Sequence, residues 1–319
     1  MIGIQAERFI YLGGVLFLTS CATISTVPYD TLNASTQAVQ AASGETYTRF
    51  LKLEHKQDVL SAAVTGIGAA PDIRLTTFDP LTEKNTTYRQ ELEKREAALD
   101  ILADYAKLLA ALAKTDEQAD VDAAATQLTS SVQSFGQSLD ATWLNNSNEK
   151  QVVALLGTFV SELGGLIADH EREVALKQIM LAAQPWIGRL TDLLRHDNAQ
   201  LETATLDLLL LDAPVKKADG QGKSIVGQDR GLLADYNLLL QSAQGMDRLT
   251  LTREAADTIV EAREIKLALI AMNEALAKIP PAHQQILDSL NKKSGSLAAL
   301  TELMAEAQHA NNFYQSLDQ

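Results

Sequence analysis

Cysteine is almost absent from this 319-residue chain, which contains only Cys21. A disulfide within the chain is therefore impossible, and the folded part must rest on its hydrophobic core. Aromatic residues make up 5% of the chain, and its 17 glycines and 7 prolines are few enough to mark turns. Beyond the N-terminal segment, no stretch reaches the roughly 18 consecutive apolar residues of a transmembrane helix.

Positive charge is also in short supply. The chain has 27 Lys and Arg against 41 Asp and Glu, which gives a net charge of −14 and a pI of about 4.8. Nucleic-acid binding depends on basic side chains that neutralise phosphates, and attraction to anionic lipid depends on them too. The charge therefore argues against nucleic acid as a partner and against a body that lies flat on an anionic membrane.

Helix-forming residues are abundant instead. Apolar residues make up 46% of the chain, with Ala and Leu prominent among them, and these two have the highest helix propensities. The sequence predicts an all-α fold, an elongated bundle of six or seven long helices over residues 31–319. The Gly- and Lys-containing stretch 213–229 is the clearest internal linker and a candidate subdomain boundary.

Apolar spacing and helix-ending residues predict the individual helices. The cleanest stripe has heptad-like spacing and comprises Val152, Leu156, Phe159, Leu163 and Leu166. We expect Pro185 to break or kink its helix and Pro280-Pro281 to end another. The predicted helical segments are 31–65, 86–114, 115–141, 149–184, 185–211, 230–279 and 282–317.

The N-terminal segment carries the most specific motif. An apolar run from Phe9 to Leu18 leads into Leu18-Thr19-Ser20-Cys21. This resembles the lipobox of bacterial lipoproteins, a Leu and two small residues before an invariant Cys. The resemblance implies that residues 1–20 are a signal peptide, that cleavage precedes Cys21, and that Cys21 carries lipid. Residues 21–30, with Pro28 disfavouring helix, are then a lipidated tether.

The same resemblance implies a location. In the enterobacterial sorting rule, an Asp after the cysteine retains a lipoprotein in the inner membrane. Ala22 follows the cysteine here, which favours the periplasmic side of the outer membrane. Two alternatives stay open: a signal peptide followed by an unmodified cysteine, and a cytosolic protein with an apolar N-terminus.

A glycine-rich segment, Gly220-Gln221-Gly222-Lys223-Ser224, superficially matches a phosphate-binding loop. The motif needs another Gly at the position that Lys217 occupies, and no clear strand leads into it. We interpret the segment as a loop and expect no nucleotide and no other cofactor.

Two histidine pairs are candidate metal ligands. Glu306 and His309 have the Glu-x-x-His spacing of di-iron bundles, but that site needs a second such pair, so we interpret them as a surface pair. His170 and Glu173 share a helix face. They resemble the Gly-x-His-x-x-Glu motif of imelysin-like periplasmic proteins, which are helical and linked to iron uptake, although Ala168 stands at the Gly position. We treat His170 and Glu173 as weak metal candidates.

No catalytic motif is evident. No Ser lies in Gly-x-Ser-x-Gly, none of the many carboxylate pairs stands out, and Trp143 and Trp186 are expected to be core residues. The sequence therefore favours a non-catalytic scaffold or docking module that binds envelope proteins through an acidic helix face or groove. The alternatives are an imelysin-like lipoprotein that binds a metal or small ligand, and an envelope enzyme acting on peptidoglycan.

Overall fold

A computed structural model describes residues 25–65, 86–114, 118–139, 147–168, 171–210, 215–218, 224–227, 231–291 and 297–313. These residues form an all-α bundle of eight helices and one short β-hairpin, as the sequence predicts for the fold class. The helices are α1 (Val27–Thr65), α2 (Thr86–Ala113), α3 (Gln118–Ser138), α4 (Ser147–Ala168), α5 (Arg172–Leu210), α6 (Leu232–Ser242), α7 (Gly245–Leu290) and α8 (Ala298–Asn312).

The centre of the bundle is the pair of long helices α5 and α7, which pack on each other along much of their length. α1 and α2 cover one side of this pair, α3 packs on α2, and α4 packs on the outer side of α5. Trp186 of α5 is fully buried, as expected of a core residue. Trp143 lies outside the described residues.

The apolar stripe of α4 confirms the prediction from its spacing. Val152, Leu156, Phe159 and Leu163 are each at most 2% exposed, and Leu166 is half-buried. Residues three and four apart lie on one helix face, so this repeat forms a single seam against the neighbouring helices.

The N-terminal boundary of the bundle differs from the prediction. α1 begins at Val27, so residues 27–30 belong to the helix and not to a tether, and Tyr29 is only 2% exposed. Pro28 is compatible with this because it lies in the first turn, where a backbone N–H has no intrahelical partner. Cys21 and the lipobox lie outside the described residues.

The prolines end fewer helices than predicted. α5 passes through Pro185 and α7 through Pro280-Pro281, and the helix that ends before Pro185 in the prediction ends instead at Ala168. A proline within a helix costs about 3 kcal/mol. In α7 the residues on either side of the two prolines are buried, and this burial offsets the cost. They are Ile279, Ala282, His283 and Ile286.

The last two predicted helices, 230–279 and 282–317, also have different bounds in the structure. α7 continues to Leu290, and α8 is a 15-residue helix that begins at Ala298 and not at Ala282. The predicted segment 230–279 is interrupted at Ala243–Gln244, between α6 and α7, so the described residues contain one more helix than the sequence predicts.

The predicted linker contains regular structure. Strand β1 (Val215–Ala218) pairs antiparallel with β2 (Ser224–Gly227), with Val215 opposite Gly227. Ser224, the end of the sequence that resembles a phosphate loop, thus begins a strand. A phosphate-binding loop needs a helix at that point, so the structure argues against the nucleotide interpretation.

Candidate functional site

The structure describes only some of the candidate ligands. His170 lies outside the described residues, and Glu173 is an exposed side chain in the first turn of α5. Glu306 and His309 lie one turn apart on α8, with 4.0 Å between Glu306 Oε2 and His309 Nδ1.

A third metal-ligating side chain, which sequence reasoning missed, joins this pair. Glu274 of α7 faces α8, and one ligand atom from each of Glu274, Glu306 and His309 lies within 4.8 Å of the others. α8 runs antiparallel to α7 here, because Lys278, one turn after Glu274 on α7, donates its Nζ to Oε2 of Glu302, one turn before Glu306 on α8, at 2.8 Å. Glu274 and Glu306 are 32 residues apart in the sequence, so local spacing alone could not identify Glu274 as a member of the cluster.

A surface groove of about 440 Å³ lies beside this cluster. Glu274 and Glu306 line it, together with Asn273 and Ile270 of α7 and Arg195 of α5. The groove therefore combines two carboxylates, a guanidinium, the Lys278 ammonium and an amide at the junction of three helices.

Two cations near the groove have carboxylate partners of their own. The Glu302 carboxylate, through its hydrogen bond and its charge, raises the pKa of the exposed Lys278 ammonium. Arg195 Nη1 lies 3.4 Å from Asp192 Oδ1 on its own helix. Glu306 and Glu274 make smaller contributions to the rise in the Lys278 pKa, so the Lys278 ammonium already balances part of their negative charge.

A long exposed stripe runs along the other half of α7. Its spacing is three and four residues in alternation, which places its members on one helix face. We call it the α7 seam. Four apolar members are 40–73% exposed, and the remaining three are exposed as well. The α7 seam comprises Met246, Leu249, Arg253, Ala256, Val260, Arg263 and Leu267.

The α7 seam leads into the surface that α8 covers. Ile270 and Glu274 continue the same three- and four-residue spacing, and α8 meets α7 at Glu274. α8 ends at Asn312. Towards the N-terminus of α7, the side chains of the stripe are exposed to solvent. The exposed length, residues 246–267, corresponds to about 33 Å of helix.

His283 of α7 is a deeply buried titratable group. Its Nε2 is 2.8 Å from the Tyr105 hydroxyl, and both side chains are at most 2% exposed. Burial lowers the pKa of His283 to about 4 and raises that of Tyr105 well above its usual value, so both groups are neutral near pH 7. Trp186 packs edge-on against Tyr105, with ring centroids 5.1 Å apart.

This histidine belongs to the core. It lines a cavity of only about 10 Å³, the space of a single water molecule. A neutral, hydrogen-bonded imidazole surrounded by aromatic rings stabilises the packing of α2, α5 and α7, but the cavity does not admit a substrate.

A second buried polar cluster joins α2 to α5. Arg95 Nε lies 3.8 Å from Asp197 Oδ2, and both side chains are about nine-tenths buried. Burial raises the pKa of Asp197, and the Arg95 charge opposes that rise. The Tyr47 hydroxyl donates to Asn198 Oδ1, and Asn198 Nδ2 donates to Asn273 Oδ1, which connects this cluster to the wall of the groove.

One helix among the described residues is long and apolar enough to cross a membrane. It covers Asn148–Ala168 of α4, with a mean hydropathy of 1.6 and 22% of its window buried. Core helices can pass the same test, so one such helix is weak evidence. We assign α4 to the bundle because Phe159 contacts Trp186, with ring centroids 5.5 Å apart.

Comparison with known proteins identifies no relative: no family model, no curated protein and no solved structure matches the chain.

Proposed function

We propose that this chain is a non-catalytic docking module of the bacterial envelope, tethered by lipid on Cys21 at the periplasmic side of the outer membrane. The observation that carries the docking role is the α7 seam, which exposes apolar side chains on one face of a helix over about 33 Å. Contiguous exposed apolar surface rimmed by polar residues marks interaction sites.

The geometry of the α7 seam favours a helix as its partner. Its alternating three- and four-residue spacing is the pattern that knobs-into-holes packing requires. α8 already packs on the continuation of this stripe around Glu274, so the surface beyond its end suits a second helix. An amphipathic helix of a partner protein would dock by its apolar face.

The charge of the α7 seam favours an acidic partner. Arg253 and Arg263 are its only charged members, in a chain with a net charge of −14. Carboxylates of a partner helix would pair with these two guanidinium groups, and Arg is well suited to such interfacial pairs. The α7 seam itself is thus apolar and basic, unlike the acidic face that the sequence predicts, while Asp247, Glu254 and Asp257 are exposed beside it on the same helix.

Site-specific crosslinking in cells tests this proposal. A photoreactive amino acid at Val260 should form an adduct with an envelope protein, and peptide mapping should locate the adduct on an acidic amphipathic helix. Arg253→Glu with Arg263→Glu should lower the adduct yield about tenfold, because like charges would then face each other.

The matched control reverses two exposed lysines elsewhere, Lys107→Glu with Lys150→Glu, which changes the net charge equally. This control should leave the adduct yield unchanged. An equal loss in both double variants, or an adduct on lipid or on a second copy of this chain, would refute the acidic-helix partner.

The lipid anchor has an independent test. Intact mass and membrane fractionation of the wild type should show an acylated chain beginning at Cys21 in the outer-membrane fraction. Cys21→Ser should abolish both the acylation and the outer-membrane location. Unchanged mobility and fractionation of this variant would exclude lipidation.

The metal-binding alternative is favoured by the cluster of Glu274, Glu306 and His309. The peptidoglycan-enzyme alternative predicts that the purified protein cleaves cell-wall fragments. Turnover of such fragments would overturn the non-catalytic proposal.

A further inference from the structure

We propose that Glu274, Glu306 and His309 form a binding site for a divalent transition metal, with zinc as the best fit, at the contact between α7 and α8. The site does not depend on the docking function proposed above. It also differs from the His170 and Glu173 pair that the sequence suggests.

The chemistry of the three side chains points to zinc. One imidazole nitrogen and two carboxylates form a mixed N/O set of three protein ligands, the number found in open zinc sites that keep water in the fourth position. Magnesium and calcium prefer all-oxygen sites, and imidazole suits Zn, Cu, Fe and Ni.

The geometry allows the three ligands to close on one ion. Around a tetrahedral ion with ligand distances of about 2.1 Å, ligand atoms lie about 3.4 Å apart. The ligand atoms here lie within 4.8 Å of one another, and Glu306 Oε2 and His309 Nδ1 are 4.0 Å apart. The side chains of Glu306 and His309 are 33% and 62% exposed, so both have room for the small rotation required.

The local charge also favours a cation. Lys278 pairs chiefly with Glu302 and to a smaller extent with Glu306 and Glu274, and Arg195 lies 3.4 Å from Asp192, so the site carboxylates keep part of their negative charge. A bound ion would join α7 to α8 through ligands from both helices and would therefore stabilise the packing of α8.

Zinc titration of the full chain in detergent tests this site, with Cys21→Ser removing the one thiol that also binds zinc. The expected result is one zinc per chain with a Kd tighter than about 10 μM, measured by competition with a chromophoric chelator. Glu274→Gln and His309→Ala should each weaken binding at least about tenfold. Zinc should raise the Tm of the parent protein more than that of either variant.

His196→Ala is the matched control. His196 is an exposed histidine on α5 that belongs to no such three-ligand group among the described residues. This variant should bind zinc like the parent. Absence of stoichiometric binding, equal binding by the site variants, or loss of binding in His196→Ala or His170→Ala would overturn the proposal. Circular dichroism of each variant would verify that it is folded.

Discussion

The two halves of α7 have similar helix-forming sequences and opposite surroundings. From residue 262 onward, its inward face is buried against α5 and the neighbouring helices, and Leu269, Met272 and Leu276 are fully buried. From 245 to 257, no side chain is buried, and Met246 is 73% exposed. One continuous helix thus serves as part of the core at one end and as a free surface at the other.

This contrast shows that neighbouring elements, rather than hydrophobicity, decide which residues become core. α1, α5, α6 and α8 all pack on α7, and its buried side chains lie from Thr258 onward, whereas in 245–257 only Leu251 and Ala255 are half-buried. An apolar residue in the N-terminal half therefore remains available for a partner. The predictions below test this contrast from the largest effect to the smallest.

Two methionines on α7 provide a direct comparison. Met272→Ala removes a fully buried side chain and leaves a cavity, so we expect it to lower the free energy of unfolding by about 2–5 kcal/mol. Met246→Ala should change it by less than about 0.5 kcal/mol, since that side chain is largely in water. Urea denaturation of both variants measures the difference, and equal losses would show that the two halves are packed alike.

The buried half of α7 should also respond to acid through His283. Its pKa is about 4 in the folded chain and about 6.5 in the unfolded chain, so the unfolded state binds the extra proton between these values. The titration of His283 should therefore lower the free energy of unfolding by about 3 kcal/mol as the pH drops from about 6.5 to 4. Above pH 7 His283 should contribute no pH dependence.

His283→Gln keeps a hydrogen-bonding group near Tyr105 and removes the titration. Its stability should therefore decline less than that of the wild type over the same pH range. Parallel pH profiles of the two proteins, obtained by thermal unfolding, would exclude His283 as the source of acid sensitivity.

Thr258 marks the boundary between the two halves. Its fully buried hydroxyl accepts from Lys56 Nζ at 3.0 Å and lies 3.2 Å from the Tyr236 hydroxyl. Thr258→Val should lower the free energy of unfolding by about 1–2 kcal/mol, because removing the hydroxyl takes a hydrogen-bond partner from the buried Tyr236 hydroxyl.

The exposed Thr252 provides the control for that substitution. Its hydroxyl donates to the Arg248 carbonyl of the same helix, as the Thr258 hydroxyl does to Glu254. Thr252→Val should change the unfolding free energy by less than about 0.5 kcal/mol. A similar loss in both variants would mean that bonding within the helix, and not the contact with α1 and α6, matters at Thr258.

The smallest expected effect concerns Glu54 of α1, two residues before Lys56, which contacts Thr258 at the boundary of the two halves. Partial burial, with a contribution from Asp58, raises the pKa of Glu54 to about 7. Above that pH the folded chain must hold a partly buried carboxylate, so Glu54→Gln should stabilise the protein at pH 8 but not at pH 5. Solvent screening limits the gain to about 0.5 kcal/mol. Greater stabilisation at pH 5 than at pH 8 would contradict this assignment.

The sequence predicted those parts of the fold in which local pattern and tertiary environment agree. The predicted α2 start at Thr86 is confirmed, and the α4 stripe from Val152 to Leu163 is buried as its spacing indicated. The α4 stripe packs against the neighbouring helices, so apolar periodicity sufficed to identify its buried side.

Other features could not be predicted because they depend on residues distant in sequence. Burial around Ile279 and Ile286 keeps α7 helical through Pro280-Pro281, and the contact of α8 with α7 brings Glu274 to His309. Periodicity also cannot distinguish an exposed stripe from a buried one, since both have the same spacing. The spacing in the sequence therefore does not identify the α7 seam as an exposed surface.

The sequence by itself determined the helical class, the apolar stripes, the acidic charge and the absence of a disulfide within the chain, because composition and local spacing specify these properties. It also contains the Cys21 motif, whose role in lipid attachment stays a prediction. Only the tertiary structure decided which stripe is core and which is surface, and which carboxylates meet His309. Those outcomes depend on how helices that are far apart in the chain pack on one another, and no local pattern specifies that packing.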